Sequence, residues 1–385
     1  MPSATRRSLL KALAAAPLAA SLPALAAADR KPRLLVMVFL YGGNDGFNTW
    51  VPFTNPRYYQ YRPTIAVPRD AVLKITDSHG LHPSLAPLVP MWQSKELALI
   101  QGIGYPEATQ QHYRDIEIAF TAEDVDIRGE GWVSRALGRT AADAVALDVL
   151  DIRALDPMGP FRGERMGVVQ VHYADELLAK RRLADCVTST NARGRERLAR
   201  DPGALRAATL RTSFPDEPFG RAMRCAVELA AADRTLPVIH VALNGLDDDK
   251  HHSVDTHWEQ LKHHGGALKR LAEGLAALRA GMVEIGRWDE TLVATYDEFG
   301  RSPKENADHG THHGLGTTHF VLGGGVKGGL YGEPPPIQDL HPIGGPAPAI
   351  DTRRLWTTIV RDWWGADPSG VFTRRHAPLD LLRSS

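Results

Sequence analysis

The stretch Arg33–Asn48, RLLVMVFLYGGNDGFN, joins an apolar run to a polar, glycine-rich turn. Residues 34–40 are all apolar, without the alternation of polar and apolar side chains that a half-exposed strand shows. Strands that are covered on both faces have this near-continuous apolar character. The stretch therefore predicts a buried strand that ends at Gly42 and Gly43.

Four further apolar runs have the same form, and each lies next to a polar or glycine-rich turn: Leu97–Gly102, Leu236–Leu243, Thr291–Tyr296 and THFVLGG at residues 318–324. Helical patterns separate them. The longest predicts one buried helix face made of Trp258, Leu261, Leu268, Leu271, Leu275, Leu278 and Met282. Further helices are predicted at Ala174–Arg200, Glu217–Arg234 and Asp351–Gly365. Strands that alternate with helices predict an α/β sandwich with a mostly parallel sheet.

Residues 1–28 have the features of an export signal. Arg6 and Arg7 precede an alanine-rich apolar run, and small residues follow before Asp29. The order TRRSLLK at residues 5–11 resembles the twin-arginine signal. A membrane anchor is the alternative, but two prolines interrupt the run, which is shorter than the roughly 20 residues that span a bilayer. We therefore expect the twin-arginine translocation machinery as a partner, a periplasmic or secreted protein, and no stable membrane span after cleavage.

Composition and the absence of certain motifs narrow the classes of function that this sequence could have. Lys plus Arg and Asp plus Glu each number 45 in 385 residues, so no basic excess points to nucleic acid. Cys186 and Cys225 are the two cysteines, too few for a disulfide framework, and whether they pair stays open. No G-x-S-x-G elbow or Walker loop occurs. The glycines at 323, 325 and 328 match a dinucleotide fingerprint, but no helix pattern follows, which favours a turn.

Polar side chains follow the predicted strands where ligands collect in open α/β sheets, at the carboxyl ends. They are Asn44 and Asp45; Thr109, Gln111 and His112; Asp247, Asp255 and His257; and Asp297 and Glu298, with His309, His312 and His313 beyond. Aspartate and histidine side chains gathered from separate strand ends are what a divalent-metal hydrolase needs. Zinc, manganese, magnesium or calcium would suit these donors. The alternative is structural, since aspartates such as Asp255 often cap helices.

The ordered blocks FLYGGNDGFNTWVP, GYPEATQQHYRDIEIAFTAE, GWVSRALGR, DTHWEQLKHH, DEFGRSPKENADHGTHHG and FVLGGGVKGGLYG resemble a bacterial family, domain of unknown function 1501. Its members resemble the alkaline phosphatase and sulfatase superfamily. The resemblance implies a three-layer α/β/α sandwich, alkaline phosphatase-like, as a single domain over residues 29–385. It also implies metal ligands at Asp45 (or Asn44), Asp255, His257, Glu298 and His313, and His312 is a further candidate for zinc.

Several positions depart from the family's pattern. His312 stands where relatives usually carry aspartate, Asp297 stands where serine is common, and the segment DDDKHHSV is inserted between Asp247 and the DTH block. Relatives commonly carry serine at the start of the helix after the second strand, as the nucleophile, where this chain has Gln111. Thr109 is the nearest hydroxyl and a catalytic candidate that could substitute as the nucleophile if the turn is shifted. His112 is the second catalytic candidate, for positioning substrate or acting as an acid.

Two functions are therefore expected. The first is a metal-dependent hydrolase of small anionic esters, phosphate or sulfate, in which activated water attacks. The second is a non-catalytic exported binding or assembly protein that keeps the fold, with Glu298 and Arg301 as a buried pair. The substrate, the metal's identity and number, and the oligomeric state are not determined by the sequence.

Overall fold

The computed structural model describes residues 33–125, 127, 129–138, 143–147, 159–171, 174–180, 186–200, 210–243, 254–337 and 344–383. All structural statements below concern these residues. The predicted export signal and Asp247 lie outside them.

The strands are β1 (Leu34–Leu40), β2 (Trp50–Val51), β3 (Leu73–Lys74), β4 (Gly80–Leu81), β5 (Leu97–Gly104), β6 (Asp143–Leu147), β7 (Gly167–Val171), β8 (Val187–Thr190), β9 (Val238–Leu243), β10 (Thr291–Tyr296), β11 (Arg301–Glu305), β12 (Thr311–His313), β13 (Thr317–Gly323), β14 (Gly329–Tyr331) and β15 (Ile350–Asp351). The five apolar runs therefore form β1, β5, β9, β10 and β13, as predicted.

The α-helices are α1 (Gly46–Thr49), α2 (Pro56–Tyr61), α3 (Val89–Gln93), α4 (His112–Thr121), α5 (Trp132–Leu137), α6 (Ala174–Lys180), α7 (Ala192–Arg200), α8 (Pro218–Ala232), α9 (Gln260–Glu284) and α10 (Thr352–Thr358). A π-helical turn, Ile359–Trp363, continues α10.

The large sheet has the order β14-β5-β13-β10-β1-β9-β6-β7-β8, and β15 also pairs with β5. Its pairs are mostly parallel; β13 is antiparallel to both neighbours, and β8 to β7. Two small sheets, β2-β4-β3 and β11-β12, lie apart from it.

Both faces of this sheet are covered, as the apolar run of β1 predicts. Leu34, Val36, Val38 and Leu40 pack into one core with residues of α8 and α9. The alternate residues Leu35, Met37 and Phe39 pack into a second core with residues of α4, α5 and α10. Successive side chains of a strand point to opposite faces, so helices on both sides give three layers. The predicted α/β/α class is confirmed.

The carboxyl ends of β1, β5, β9 and β10 meet at one edge of the sheet. β1 is parallel to β9 and β10, and β5 has the same direction because both β5 and β10 are antiparallel to β13. The polar segments predicted to follow these strands are thereby brought to one side of the molecule.

Two helix predictions were wrong in part. The segment Ala174–Arg200 contains two helices, α6 and α7, with strand β8 between them. In the long pattern, Leu268 to Met282 are buried as predicted, but Trp258 and Leu261 are each 50% exposed. The reason for Trp258 is that α9 begins at Gln260, after Glu259 with its positive φ of 41°. Among the described residues, no helix is both long and apolar enough to cross a membrane.

Candidate metal centre

Four side chains at this edge come close enough to share one ion: His112, Asp255, His257 and His313, named here the histidine cluster. One nitrogen or oxygen atom from each lies within 4.8 Å of those from the others, and all four residues are partly buried. His112 begins α4 after β5, the Asp255 and His257 segment follows β9, and His313 ends β12. No second group of this kind occurs in the part of the chain that the structure describes.

Hydrogen bonds orient two of the imidazoles. His313 Nδ1 lies 2.6 Å from the carbonyl oxygen of Gln110, which can accept but not donate. His112 Nδ1 lies 2.8 Å from Glu298 Oε1. Each Nδ1 therefore carries hydrogen, and in the neutral ring the lone pair is on Nε2. Metal-binding histidines are usually oriented in this way, by a carbonyl or carboxylate on the other nitrogen.

His257 completes a centre in which lone pairs outnumber hydrogens. Its Nε2 lies 2.9 Å from His313 Nε2, 3.2 Å from Asp255 Oδ1 and 3.3 Å from Arg301 Nη1. His112 Nε2 lies 3.9 Å from Asp255 Oδ2. Arg301 Nη1 can only donate, so this hydrogen bond uses the lone pair of His257 Nε2, which then faces the acceptors His313 Nε2 and Asp255 Oδ1 with no hydrogen between them. Such a group of acceptors fits a cation.

Two of the histidines are held in the neutral, metal-binding form. Burial lowers the pKa of His313 to about 4. Burial, and then the Arg301 guanidinium, lower the pKa of His257 as well. Neutral imidazole is the form that ligates metal, so neither ring has to lose a proton near pH 7 before it can bind one.

Arg301 supplies a fixed positive charge beside the cluster. Its guanidinium is 1% exposed and donates to Asp255 Oδ1, to the carbonyl oxygens of Gly42 and Gly43 and to that of Thr311. Burial alone would raise the pKa of Asp255, but the charge and hydrogen bond of Arg301, together with His112 and His257, keep the carboxyl pKa below its usual range. The buried pair expected between Arg301 and Glu298 is not what the structure shows, since Arg301 pairs with Asp255.

The glycines of the first turn make this arrangement possible. Gly42 and Gly43 have φ values of 110° and 81°, which side chains other than glycine rarely adopt. A Cβ on Gly42 would lie 2.4 Å from Asp255 Cβ. Backbone N–H of Gly42 also donates to Glu298 Oε1 over 2.9 Å.

Glu298 lies behind His112 as its hydrogen-bond partner, outside the group of four. It is fully buried, and burial raises the pKa of its carboxyl. Oε1 accepts from Gly42 and His112, whereas Oε2 has no hydrogen-bond partner. A buried carboxylate oxygen without a partner is costly, so it is either protonated or used by a bound group.

Asp45, predicted as a ligand, lies in a separate buried network. Arg62 binds both of its oxygens, with Nη1 2.5 Å from Oδ2 and Nη2 3.0 Å from Oδ1. Asp45 also caps α1, accepting from the amides of Phe47 and Asn48, and it accepts from Gln260. Burial alone would raise the pKa of Asp45, but Arg62 lowers it below the usual range. The structure does not bring Asp45 into the cluster, because its oxygens are already used. We name Asp45 and Arg62 the closed pair.

The other candidates are placed as follows. His312 is exposed, because the two-residue period of β12 turns it away from the side of Thr311 and His313. The Thr109 hydroxyl donates to Asp115 Oδ1 over 3.0 Å. His309 is exposed and contacts Thr64. Asp297 is buried and pairs with His319 over 3.1 Å.

Comparisons with known proteins agree with the predicted resemblance. The model of the family described as "Protein of unknown function (DUF1501)" matches residues 170–342. This confirms the resemblance over that part of the chain, which includes Asp255, His257, Glu298, Arg301 and His313. No curated protein matches the chain by sequence.

Solved structures also match at low identity. A protein in the alkaline phosphatase superfamily from Vibrio parahaemolyticus is 9% identical, with 78% of this chain and 62% of that chain covered and a TM-score of 0.39. The C-terminal periplasmic domain of EcEptC from Escherichia coli, in complex with Zn, is 9% identical (76% and 73% covered, TM-score 0.40). The PsFucS1 sulfatase from Pseudoalteromonas sp. is 12% identical (95% and 73% covered, TM-score 0.37).

Sequence reasoning missed the hydrogen-bond partners that decide which candidate ligands are available to a metal ion. Arg62 lies in a tyrosine-rich segment with no motif, and nothing in the sequence signals that it pairs with Asp45, 17 positions away in the chain. The carbonyl of Gln110 orients His313 from 203 positions away. Long-range contacts of this kind leave no local pattern.

Proposed function

We propose that the histidine cluster binds one divalent metal ion and that the protein is a metal-dependent hydrolase of phosphate or sulfate esters. The observation that carries the proposal is the orientation of His112 and His313, whose Nδ1 atoms are held by Glu298 and by the Gln110 carbonyl. Both Nε2 lone pairs are then available beside Asp255 and His257. Three imidazoles and one carboxylate form a donor set that suits zinc.

A divalent ion held there would act as a Lewis acid toward an ester oxygen and lower the pKa of water. The chain's own residues have distinct tasks in this proposal. Glu298 orients His112, and Arg301 fixes Asp255 while its positive charge attracts an anionic ester. The Phe299 ring packs against the cluster, with its centroid 4.9 Å from that of His112 and 4.4 Å from that of His313.

The proposal assigns the attack to water. Gln111 is exposed where relatives carry serine, and an amide cannot act as a nucleophile toward phosphorus or sulfur. The Thr109 hydroxyl is tied to Asp115, whose carboxylate also accepts from the amides of Thr109 and Gln111. We therefore assign Thr109 to the structure of this loop rather than to the reaction.

Metal analysis tests the binding site, and the chain offers a matched pair of variants. His313→Ala removes a cluster nitrogen, while His312→Ala removes the adjacent, outward-facing imidazole. Protein purified without chelator should contain one zinc or manganese per chain, and His312→Ala should retain it. His313→Ala should lose at least 10-fold in zinc affinity. Equal metal content in both variants would show that the ion binds elsewhere.

A non-catalytic binding protein is the second candidate function, favoured by Gln111 and by the engagement of Thr109. Assays with 4-nitrophenyl phosphate and 4-nitrophenyl sulfate, with zinc, manganese or magnesium added, separate the two. Hydrolysis that His313→Ala abolishes supports the enzyme. Stoichiometric metal with no turnover of either ester favours the binding protein.

We also propose export by the twin-arginine route, from the sequence of residues 1–28. Replacing Arg6 and Arg7 by lysine should leave the protein in the cytoplasm, whereas the unchanged chain should appear in the periplasm or medium. Export of the double-lysine variant at an unchanged level would argue for a different route.

A further inference from the structure

The turn that precedes α4, residues 109–111, has an unusual backbone for its sequence. Gln110 has a φ of 64°, in the left-handed region that residues other than glycine rarely adopt. Thr109 and Gln111 on either side of it are exposed, so the packing of their side chains does not fix the turn. A strained residue of this kind persists only where its surroundings hold it, and such residues are concentrated at functional sites.

Asp115, in the first turn of α4, is the group that holds this strained turn. Its Oδ1 accepts from the Thr109 hydroxyl over 3.0 Å, both of its oxygens lie 2.9 Å from the Thr109 amide nitrogen, and its Oδ2 accepts from the Gln111 amide over 3.2 Å. The chain is therefore attached to one carboxyl group on both sides of Gln110. Asp115 is itself 0% exposed, and its neighbour Ile116 packs into the second core, which makes the attachment point rigid.

The turn directs the Gln110 carbonyl toward the histidine cluster. That carbonyl oxygen lies 2.6 Å from His313 Nδ1 and accepts its hydrogen, which leaves the lone pair of the neutral ring on Nε2. Rotation about φ moves the carbonyl group of the same residue, so a Gln110 with an ordinary negative φ would direct this oxygen elsewhere. The orientation of His313 therefore depends on the group that maintains the turn.

We propose that Asp115 is a positioning residue for the metal centre, which keeps His313 in the tautomer that presents Nε2 to a cation by fixing the turn at Gln110. Asp115 acts on His313 through the backbone of the turn. The consequence for metal affinity rests on the proposed function, whereas the tautomer of His313 can be measured in the protein without metal.

Two measurements on the full-length protein test the positioning role. Nitrogen-15 NMR of the metal-free, histidine-labelled protein shows which ring nitrogen of His313 carries hydrogen, and the signals are assigned by their loss in His313→Ala. Zinc competition with a chromophoric chelator gives the affinity. Asp115→Asn replaces one acceptor oxygen by a donor that faces the turn's amides. It should give a mixture of His313 tautomers and lower zinc affinity about 3- to 10-fold, less than the roughly 10–100-fold that loss of a ligand's direct partner costs.

Two variants of the same turn are matched controls. Thr109→Val removes the hydroxyl bond to Asp115 but leaves the two amides attached, so it should lower stability without changing the His313 tautomer. Gln110→Gly removes the side chain, keeps the carbonyl and suits the positive φ, so it should retain the tautomer as well. Zinc affinity should stay within about 2-fold in both controls, because the carbonyl that orients His313 remains in place.

A further variant shifts the turn without changing Asp115. Gln110→Pro fixes φ near about −65°, which the present turn cannot accommodate, and it should change the His313 tautomer as Asp115→Asn does. It also keeps the test decisive if Asp115→Asn fails to fold, because Gln110 lies in a loop outside the core.

The outcomes separate this inference from the proposed function. An unchanged His313 tautomer in Gln110→Pro and in folded Asp115→Asn overturns the positioning role. An effect of Gln110→Gly as large as that of Asp115→Asn overturns it too, since the glutamine side chain would then be responsible. Zinc affinity that is unchanged while the tautomer shifts removes its link to the metal. A tautomer that shifts as expected in a protein that binds no zinc supports the control of His313 by Asp115 and contradicts the metal-site proposal.

Discussion

Asp45 and Asp255 invite comparison, because both follow the carboxyl end of a central strand and both bind a buried arginine. Asp45 is 0% exposed and accepts from Arg62, Gln260 and two helix amides, so its oxygens have no capacity left. The Asp255 side chain is 29% exposed and lies against His112 and His257 as well as Arg301. Two imidazoles therefore share its surroundings with the guanidinium.

The difference shows how to separate structural from functional polar residues. A buried carboxylate whose hydrogen bonds are all satisfied stabilises the loop that it organises and has nothing to offer a ligand. A partly open group of acceptors is unfavourable by itself and gains free energy when a cation binds. Asp45 belongs to the first kind and Asp255 to the second.

The largest expected effect comes from breaking the closed pair. Arg62→Ala would leave Asp45 charged and buried without its counter-ion, which typically costs about 3–5 kcal/mol of unfolding free energy. Urea unfolding measures this, and Arg361→Ala is the control, since Arg361 is 52% exposed in its pair with Asp362 and should cost less than about 1 kcal/mol. Similar losses in both variants would mean that Asp45 does not depend on Arg62.

The second-largest expected effect is a loss of metal affinity at the histidine cluster. Glu298→Gln replaces the carboxylate that holds His112 Nδ1, and loss of such a partner typically lowers metal affinity about 10–100-fold. Asp297→Asn is the matched control: it alters the neighbouring carboxylate, which pairs with His319, and zinc affinity should stay within about 3-fold. Zinc competition with a chromophoric chelator measures both. An affinity unchanged in Glu298→Gln would show that Glu298 does not act through His112.

Much of the fold could be predicted because it depends on local patterns. The all-apolar run Leu34–Leu40 indicated a strand covered on both faces, and both cores meet at it. The strand-to-loop boundaries then placed Asp45, His112, Asp255 and Glu298 at one edge, as observed. Helix α9 was located by its period, although its start was not, since the positive φ of Glu259 has no sequence signal.

The site was harder to predict because residue type does not reveal partners. Asp45 and Asp255 look alike in sequence, and the distinction depends on Arg62 and Gln260 reaching one of them from distant positions. His312 and His313 also look alike, and a strand of three residues decides which one faces inward. The predicted site residues therefore included members of the histidine cluster. They also included Asp45, whose hydrogen bonds engage it with Arg62, and His312, which faces away from the cluster.

A pH effect on stability should show that His264, which lies next to Asn44 near the closed pair, is kept neutral by burial. His264 donates toward Asn44, and burial lowers its pKa to about 3; Asp45, His82, Arg62 and Arg301 are the charged groups that act on it. Its folded pKa lies below the unfolded value of about 6.5, so its contribution is present above pH 6.5 and is lost as the pH falls toward 3. Between pH 7 and pH 5 this amounts to about 2 kcal/mol.

The variant His264→Gln keeps a side-chain donor without a titrating ring. Its unfolding free energy should fall less than that of the unchanged protein between pH 7 and pH 5, by about 2 kcal/mol. Urea unfolding at both pH values measures this. Parallel losses in the two proteins would mean that His264 is accessible to protons in the folded state.

The smallest expected effect is a gain in stability at the start of α4. Gln111 is the N-cap of α4, and its side chain makes no capping hydrogen bond. Gln111→Ser places a hydroxyl oxygen within reach of the free amides of the first turn, which typically stabilises a helix by up to about 1 kcal/mol. Urea unfolding should show this gain, and Thr109→Val should show a loss of similar size, since its hydroxyl donates to Asp115. A destabilised Gln111→Ser would mean that the glutamine side chain makes a contact at this helix start that serine cannot replace. If the serine variant instead gains stability and also hydrolyses 4-nitrophenyl phosphate faster, a hydroxyl at this helix start reacts with the ester faster than water does.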